Sequence, residues 1–323
     1  MLKWGFIGLG KIAHQFAMDL QLVEGAELTS VASRNYNKAE LFASQYNAYK
    51  SYGSYQEILK DGEVDILYIA TPHNSHFQLA MAAMNAGKHV LCEKPLAVNG
   101  SEVKQMIRCS EKNGVFLMEA FWSQFNPSIV EVLRQIKSGI IGKVRSVHAD
   151  FSFITEAPDS SRLINPDLAG GALLDIGVYP LFLAYSILGI PDQIVASSRF
   201  HSSGIDLQTS AILKYKEGMA NVACDFTSNS DMKARIYGTK GNIIIDPIWH
   251  QADGFSTIID DLNKHYSFPR RGKGYTHEIE ECMRCITEGR TESALWTHQN
   301  SLDLISICDK IREQIKLKYP FEA

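Results

Sequence analysis

The sequence has no uninterrupted apolar run of the length a membrane span needs, so no bilayer crossing is expected. It has no excess of positive charge either: 32 Lys and Arg stand against 36 Asp and Glu, a formal net charge of −4. Nucleic-acid binders usually carry a basic face, so that class fits poorly. Cysteine is sparse and scattered, at Cys92, Cys109, Cys224, Cys282, Cys285 and Cys308. The start, Met1-Leu2-Lys3, lacks a basic cluster, and glycines at 5, 8 and 10 break the apolar run that follows. No small-residue cleavage site follows at a suitable distance. Free thiols and a cytoplasmic location are therefore expected. The lone CxxC, Cys282 to Cys285, has no second pair and lies in a helical pattern, which predicts core packing. His14, His73, His76, His148 and His277 assemble no metal motif, so no metal is expected. Internal repeats and low-complexity segments are missing too.

What is present is ordinary globular composition, 45% hydrophobic and 21% charged over 323 residues. At roughly 150 residues per domain, that length suggests two domains. In the first part, short apolar runs alternate with amphipathic ones. Strands are predicted at Lys3 to Gly8, Glu27 to Ser33, Asp65 to Ala70, His89 to Cys92 and Val115 to Met118. Between them lie helices, including one started by Asn37 and Glu40, one opened by a Ser54-to-Glu57 capping box, one ending at Gly87 and one opened by Asn99. Such alternation predicts an α/β Rossmann domain, a doubly wound parallel sheet with helices on both faces, over residues 1–121. After one more helix, Ser128 to Lys137, strand-like runs dominate from Val144 to Ile259, and two helices close the chain. Residues 122–323 are expected to form an α+β domain on a mostly antiparallel, open sheet. Two late helices cannot cover both faces of a wide sheet, so a homodimer or homotetramer built through this domain is expected.

Gly8-Leu9-Gly10-Lys11-Ile12-Ala13 is G-x-G-x-x-A between a predicted strand and a predicted helix. Gly8 permits the tight turn, Gly10 lets a pyrophosphate approach the backbone, and Ala13 lets the helix pack closely. The helix start attracts phosphate. At the end of the second strand, NAD enzymes usually place an acid for the ribose 2′-hydroxyl. Here Ser33-Arg34 stands instead, with Lys38 one turn on. Arg can grip a 2′-phosphate with two bonds, which favours NADP over NAD.

Glu93-Lys94-Pro95 follows the expected strand His89 to Cys92, and ligands of open α/β sheets bind beyond the carboxyl ends of strands. Downstream, Gly170-Gly171 would let backbone approach a ligand closely, and a helical Asp175 and Tyr179 would share a face. Pro180 fits best near a helix start. Trp122 and Phe125 lie at the domain junction, where an aromatic either stacks on a sugar ring or packs an interface core. Arg162 is a weaker candidate for touching substrate.

Gly8-x-Gly10-x-x-Ala13, then Thr71-Pro72-His73-Asn74-Ser75-His76, then Ala86-Gly87-Lys88-His89-Val90-Leu91-Cys92-Glu93-Lys94-Pro95 resemble the Gfo/Idh/MocA oxidoreductases. Met118 to Trp122 and Gly170 to Tyr179 look closest to that family's dihydrodiol, xylose and glucose-fructose branch. The resemblance implies hydride transfer between NADP (or NAD) and an alcohol or carbonyl. It implies that Lys11 and Ile12 join the glycine turn in holding the cofactor. Thr71, Pro72, His73, His76, Glu93 and Lys94 would flank it. It makes Lys94 the catalytic lysine and Asp175 the motif's aspartate, while Tyr179 stands where many relatives have histidine. A hydride cannot leave an alcohol carbon unless the hydroxyl proton leaves too. Tyr179 could accept that proton beside a Lys94 cation, or a desolvated Lys94 could accept it directly, with Asp175 orienting Lys94. No basic cluster lies near these segments, so the small-molecule substrate is expected to be a neutral polyol, sugar or vicinal diol. A dinucleotide sensor without turnover and a glycosidase that retains its nicotinamide are the alternatives.

Overall fold

The structure is a computed structural model that describes residues 1–322. The chain divides into two compact units. One comprises Met1–Phe125 and Arg271–Leu302; the other comprises Asn126–Arg270 and the chain from Asp303 onward. The sequence pattern divides the chain once, after residue 121, whereas contacts return 271–302 to the first unit.

The first unit is built on six parallel strands: β1 (Leu2–Ile7), β2 (Ala26–Ala32), β3 (Lys50–Tyr52), β4 (Ile66–Ile69), β5 (His89–Glu93) and β6 (Leu117–Ala120). Their order is β3-β2-β1-β4-β5-β6. All four residues of β4 are buried, as a strand covered on both faces must be. The crossovers are α1 (Lys11–Leu20), α2 (Tyr36–Tyr46), α3 (Tyr55–Leu59), α4 (His76–Asn85) and α5 (Gly100–Asn113). Asn35, not Asn37, starts α2: its side-chain oxygen accepts the Lys38 N–H at 3.2 Å. The expected box at Ser54 is present, with Glu57 accepting the Ser54 N–H at 2.9 Å. Asn99 caps α5 by accepting the Glu102 N–H at 3.0 Å. The three half-buried residues of β3 have too little pattern to be read in advance.

The second unit opens with α6 (Pro127–Lys137), capped by Asn126, which accepts the Ser128 N–H at 2.8 Å. Eight strands follow: β7 (Val144–Ser152), β8 (Gln193–Phe200), β9 (Asp206–Tyr215), β10 (Gly218–Asp225), β11 (Ala234–Gly238), β12 (Gly241–Ile245), β13 (Gly254–Ile259) and β14 (Leu262–Ser267). They form one sheet, β14-β13-β12-β11-β7-β10-β9-β8, antiparallel except for the β7–β10 pair. In β9, Ala211 and Leu213 are buried while Ser210, Ile212 and Lys214 are exposed, the alternation of a sheet with one covered face. The largely exposed edge strand β14 has little hydrophobic signal, which is why the sequence pattern omits it.

A helix the sequence pattern does not resolve, α7 (Val178–Leu188), packs on β7 and β10. It is apolar on nearly every side, so it carries no stripe at helical spacing. It also corrects the reading of apolar run lengths. Pro166–Leu188 is long and apolar enough, by length and composition, to cross a membrane. Most of that stretch is buried inside the protein, as a core helix is. Pro180 lies in the first turn of α7, near a helix start as expected.

The chain then returns to the first unit as α8 (Thr276–Thr287), which packs on α1, and closes with α9 (His298–Ile315). All six cysteines are free and buried, Cys282 and Cys285 on the inner face of α8.

Candidate active site

In the first unit, the chain leaves β1 through Gly8, at φ +89. A Cβ there would come within 2.7 Å of the Ala70 carbonyl, so only glycine fits the turn. Gly10 differs: an added Cβ would meet nothing within 4 Å, so its backbone faces open space. Gly10 is the N-cap of α1, no side chain caps that helix, and no acid lies in its first turn. The first amides of α1, at exposed Lys11 and half-buried Ile12, are thus presented to an anion. Ala13 is fully buried, as close packing of α1 requires.

Beyond β2, buried Ser33 accepts the Asn35 N–H at 3.2 Å, and Arg34 and Lys38 are both exposed. Burial holds the His14 imidazole below its ordinary range, and the Lys38 charge lowers it further. No carboxylate stands between Ala32 and Lys38.

Beyond β4, the Thr71 hydroxyl is buried without a hydrogen-bond partner. His76 lies between two carbonyls, Nδ1 at 2.9 Å from Pro95 O and Nε2 at 2.9 Å from Thr71 O. It therefore ties the loop after β4 to the loop that carries Lys94. His73 meets His76 edge-on at 5.7 Å, with Pro72 preceding it in the same turn. The orphaned Thr71 hydroxyl, the open backbone at Gly10 and the uncapped start of α1 are what a dinucleotide would use. The residues present fit that group.

Around Lys94 the structure adds partners that the motifs alone do not show. Glu93 accepts a 2.5 Å hydrogen bond from Tyr68. Burial, then the Glu93 charge, pushes that phenol well above its usual range. Glu119 is buried and accepts from Leu96 N–H at 2.9 Å and Trp296 Nε1 at 3.1 Å. Burial raises its carboxyl, while hydrogen bonds and the Lys94 charge oppose the rise. Trp122 is buried with its indole stacked on Tyr275 at 4.9 Å, and Phe125 is buried too. One face of the indole is therefore occupied by the protein itself.

In the second unit, Asp175 and Tyr179 are buried. Asp175 lies in a π-turn, Leu173–Gly177, that runs straight into α7 with Tyr179 in its first turn. Such wide turns recur at functional sites. Arg162, expected as a substrate contact, pairs with Asp175 at 2.8 Å. The Tyr179 ring lies 5.4 Å from Phe151 and 5.2 Å from His250, which itself stacks on Phe151 at 4.1 Å. His250 sits in no recognisable motif, so nothing in the sequence singled it out.

The expectation for Gly170-Gly171 is corrected. A Cβ on Gly170 would lie within 2.9 Å of the carbonyl oxygens of Arg162, Leu163 and Asn165. A Cβ on Gly171, at φ +123, would overlap the Asp206 carboxyl. These glycines admit the protein's own groups, not a ligand.

Residues 2–121 match the model of an oxidoreductase family with an NAD-binding Rossmann fold, and residues 129–244 match the GFO/IDH/MocA C-terminal domain. The chain belongs to the GFO/IDH/MocA oxidoreductases. This GFO/IDH/MocA protein is 34% identical to trans-1,2-dihydrobenzene-1,2-diol dehydrogenase of Mus musculus, over 99% of this chain and 98% of that one. Its fold matches aldose-aldose oxidoreductase from Caulobacter crescentus, with a TM-score of 0.89 at 24% identity, covering 98% and 97% of the two chains. It also matches the 3-ketoreductase KijD10 from Actinomadura kijaniata in complex with NADP and TDP-benzene. There the TM-score is 0.89 at 25% identity, covering 97% and 98%.

Proposed function

We propose that this GFO/IDH/MocA oxidoreductase is an NADP-preferring dehydrogenase or reductase acting on a CH–OH or C=O group of a small neutral polyol, sugar or vicinal diol. The observation that carries the cofactor preference is the end of β2, where exposed Arg34 and Lys38 stand in place of a carboxylate. NADP in the KijD10 complex supports the same reading. When bound, the cofactor supplies the hydride acceptor for oxidation or the donor for reduction. The α1 amides beside Gly10 would hold its pyrophosphate, Arg34 and Lys38 would hold its 2′-phosphate, and the Thr71 hydroxyl would gain a partner.

The chain's own residues then handle the proton. Lys94, on the loop braced by His76, and Tyr179, at the start of α7, are the two candidate acid–base groups. Either the Tyr179 hydroxyl or the Lys94 amine takes the substrate proton. Asp175 orients this machinery while Arg162 balances its charge. That ion pair also strengthens the case for a neutral substrate, because Arg162 already has a carboxylate partner. The dihydrodiol named for the relative from Mus musculus is of that class.

The test is a screen with NADP and NADPH over aldoses, cyclitols, dihydrodiols, sugar phosphates and hydroxy acids. A neutral best substrate by kcat/KM with net cofactor turnover is expected. A phosphorylated or carboxylated best substrate overturns the substrate class. No net turnover would favour a sensor or a nicotinamide-retaining glycosidase.

The same reading includes a homodimer or homotetramer built through the larger sheet. Val195, Ile212 and Met219 are exposed on its strands, and a second copy would cover them. Sedimentation of a monomer at micromolar concentration would overturn this part.

A further inference from the structure

We propose that Asp206 is a positioning residue for the reaction, because its carboxyl caps the π-turn that carries Asp175 and leads into Tyr179. The inference rests on the proposed roles of those two residues.

Asp206 is the first residue of β9, remote in sequence from the turn, and fully buried. Its Oδ2 accepts the Leu173 N–H at 2.8 Å and the Thr209 hydroxyl at 2.7 Å. Leu173 is the first residue of the π-turn, where the backbone amide has no partner within its own turn. The Asp206 Oδ1 has no hydrogen-bond partner and crowds the place a Cβ on residue 171 would take. Gly171 thus has two reasons to be glycine, its φ of +123 and the carboxyl beside it. The amide of Asp175 in turn donates to Gly171 O at 3.3 Å, so the capped turn is continuous with the residue that pairs with Arg162.

A plain cap would only need a fixed hydrogen bond. This one can change charge in the working range. Burial pushes the Asp206 carboxyl up to about 7, against the pull of Thr209, the Leu173 amide and the Arg312 guanidinium on α9. The other titratable groups facing it are Cys224 on β10 and Tyr319 beyond α9. Burial, then Asp206 itself, pushes both well above their usual ranges, so neither ionises alongside it near neutral pH. When Asp206 is ionised, its bond to the Leu173 amide becomes charge-assisted and roughly twice as strong. Rising pH should therefore tighten the turn under Asp175 and Tyr179.

The experiment follows kcat and KM across pH for the full-length enzyme and for Asp206→Asn, Thr209→Val and Tyr179→Phe, with NADPH affinity measured alongside. Asp206→Asn keeps an oxygen for the Leu173 amide but cannot ionise. The kcat ratio of native enzyme to Asp206→Asn should rise about tenfold as pH climbs through about 7, with NADPH affinity unchanged. Thr209→Val removes one donor to the carboxylate and should move that step to higher pH. Parallel kcat–pH profiles for native enzyme and Asp206→Asn would overturn the proposal. Hydrogen exchange of the Leu173-to-Tyr179 amides gives a second readout that needs no chemistry. Protection should fall in Asp206→Asn, and unchanged protection counts against the cap. If Tyr179→Phe keeps full turnover while amide protection still depends on Asp206, the cap stands and the catalytic reading fails. Should Asp206→Asn not fold, an unshifted step in Thr209→Val would overturn the proposal by itself.

Discussion

Two glycine pairs mark the two units, and they do opposite jobs. At Gly8 and Gly10 the turn is tight on one side and open on the other: a Cβ at residue 8 strikes the Ala70 carbonyl, whereas one at residue 10 meets nothing within 4 Å. At Gly170 and Gly171 both sides are filled, by carbonyls of 162, 163 and 165 and by the Asp206 carboxyl. The first pair leaves room for a ligand. The second leaves room for a distant part of the same chain. A glycine in sequence announces a close approach without saying of what, and only the tertiary neighbours decide.

The largest effect expected from any single change falls on the chemistry. Lys94→Met should lower kcat by at least about 10²–10⁴-fold, the usual contribution of a positioned acid–base group. NADPH affinity should stay close to native, because the proposed phosphate contacts at Gly10, Arg34 and Lys38 are untouched. Near-native turnover, measured by cofactor absorbance, would mean that the reacting oxygen lies elsewhere.

The contrast between the glycine pairs can be broken directly. Gly171→Ala forces a Cβ into Asp206 at a φ that L-residues rarely adopt, so it should cost several kcal/mol or prevent folding. Gly10→Ala has an ordinary φ of −85 and open space, so its melting temperature should barely move while NADPH affinity falls about tenfold or more. Thermal melts and fluorescence titration of the pair decide it. Equal loss of stability in both variants would erase the distinction.

That contrast also explains how far the sequence could be read. The nucleotide unit was legible because its signals are local: Gly8 to Ala13 lies between β1 and α1, and Asn99 and the Ser54–Glu57 box cap their own helices. The position of Lys94 just past the end of β5 was legible too. The second unit was less so. Asp206 caps a turn remote from it in sequence, Arg162 finds Asp175, and His250 approaches Tyr179 from a different loop. Such pairings leave no periodicity. Helix α7 was hidden for a different reason, since a segment apolar on every side has no face to detect.

A smaller effect than these should follow from Arg34→Asp. Exchanging a bidentate cation for a carboxylate removes the grip on a 2′-phosphate and offers an acceptor to a 2′-hydroxyl. The ratio of NADPH to NADH affinity should fall by about tenfold to a hundredfold, with thermal stability unchanged because Arg34 is exposed. A native protein that binds NADH as tightly as NADPH would remove the basis of the cofactor preference.

The smallest effect separates two fully buried carboxyls, one in each unit. Asp206 receives two donors, whereas neither oxygen of Glu278 on α8 has a partner. Burial, then the charges of Glu93 and Asp19, pushes the Glu278 carboxyl well above its ordinary range. It therefore folds with its proton on. A raised native value means the proton is bound more tightly in the folded state than in the unfolded one. The resulting stabilisation is complete below the unfolded value and drains away as pH rises toward the folded one, at about 1.4 kcal/mol per pH unit. Glu278→Gln is neutral in both states and has no such slope. Its melting temperature relative to the native protein should thus improve as pH rises from about 5. Near pH 4 the variant should be no better than native, because its extra N–H donors find no more partners than the acid's oxygens do. Melts that shift in parallel across this range would show that Glu278 is ionised in the folded protein, and that an unseen partner compensates it.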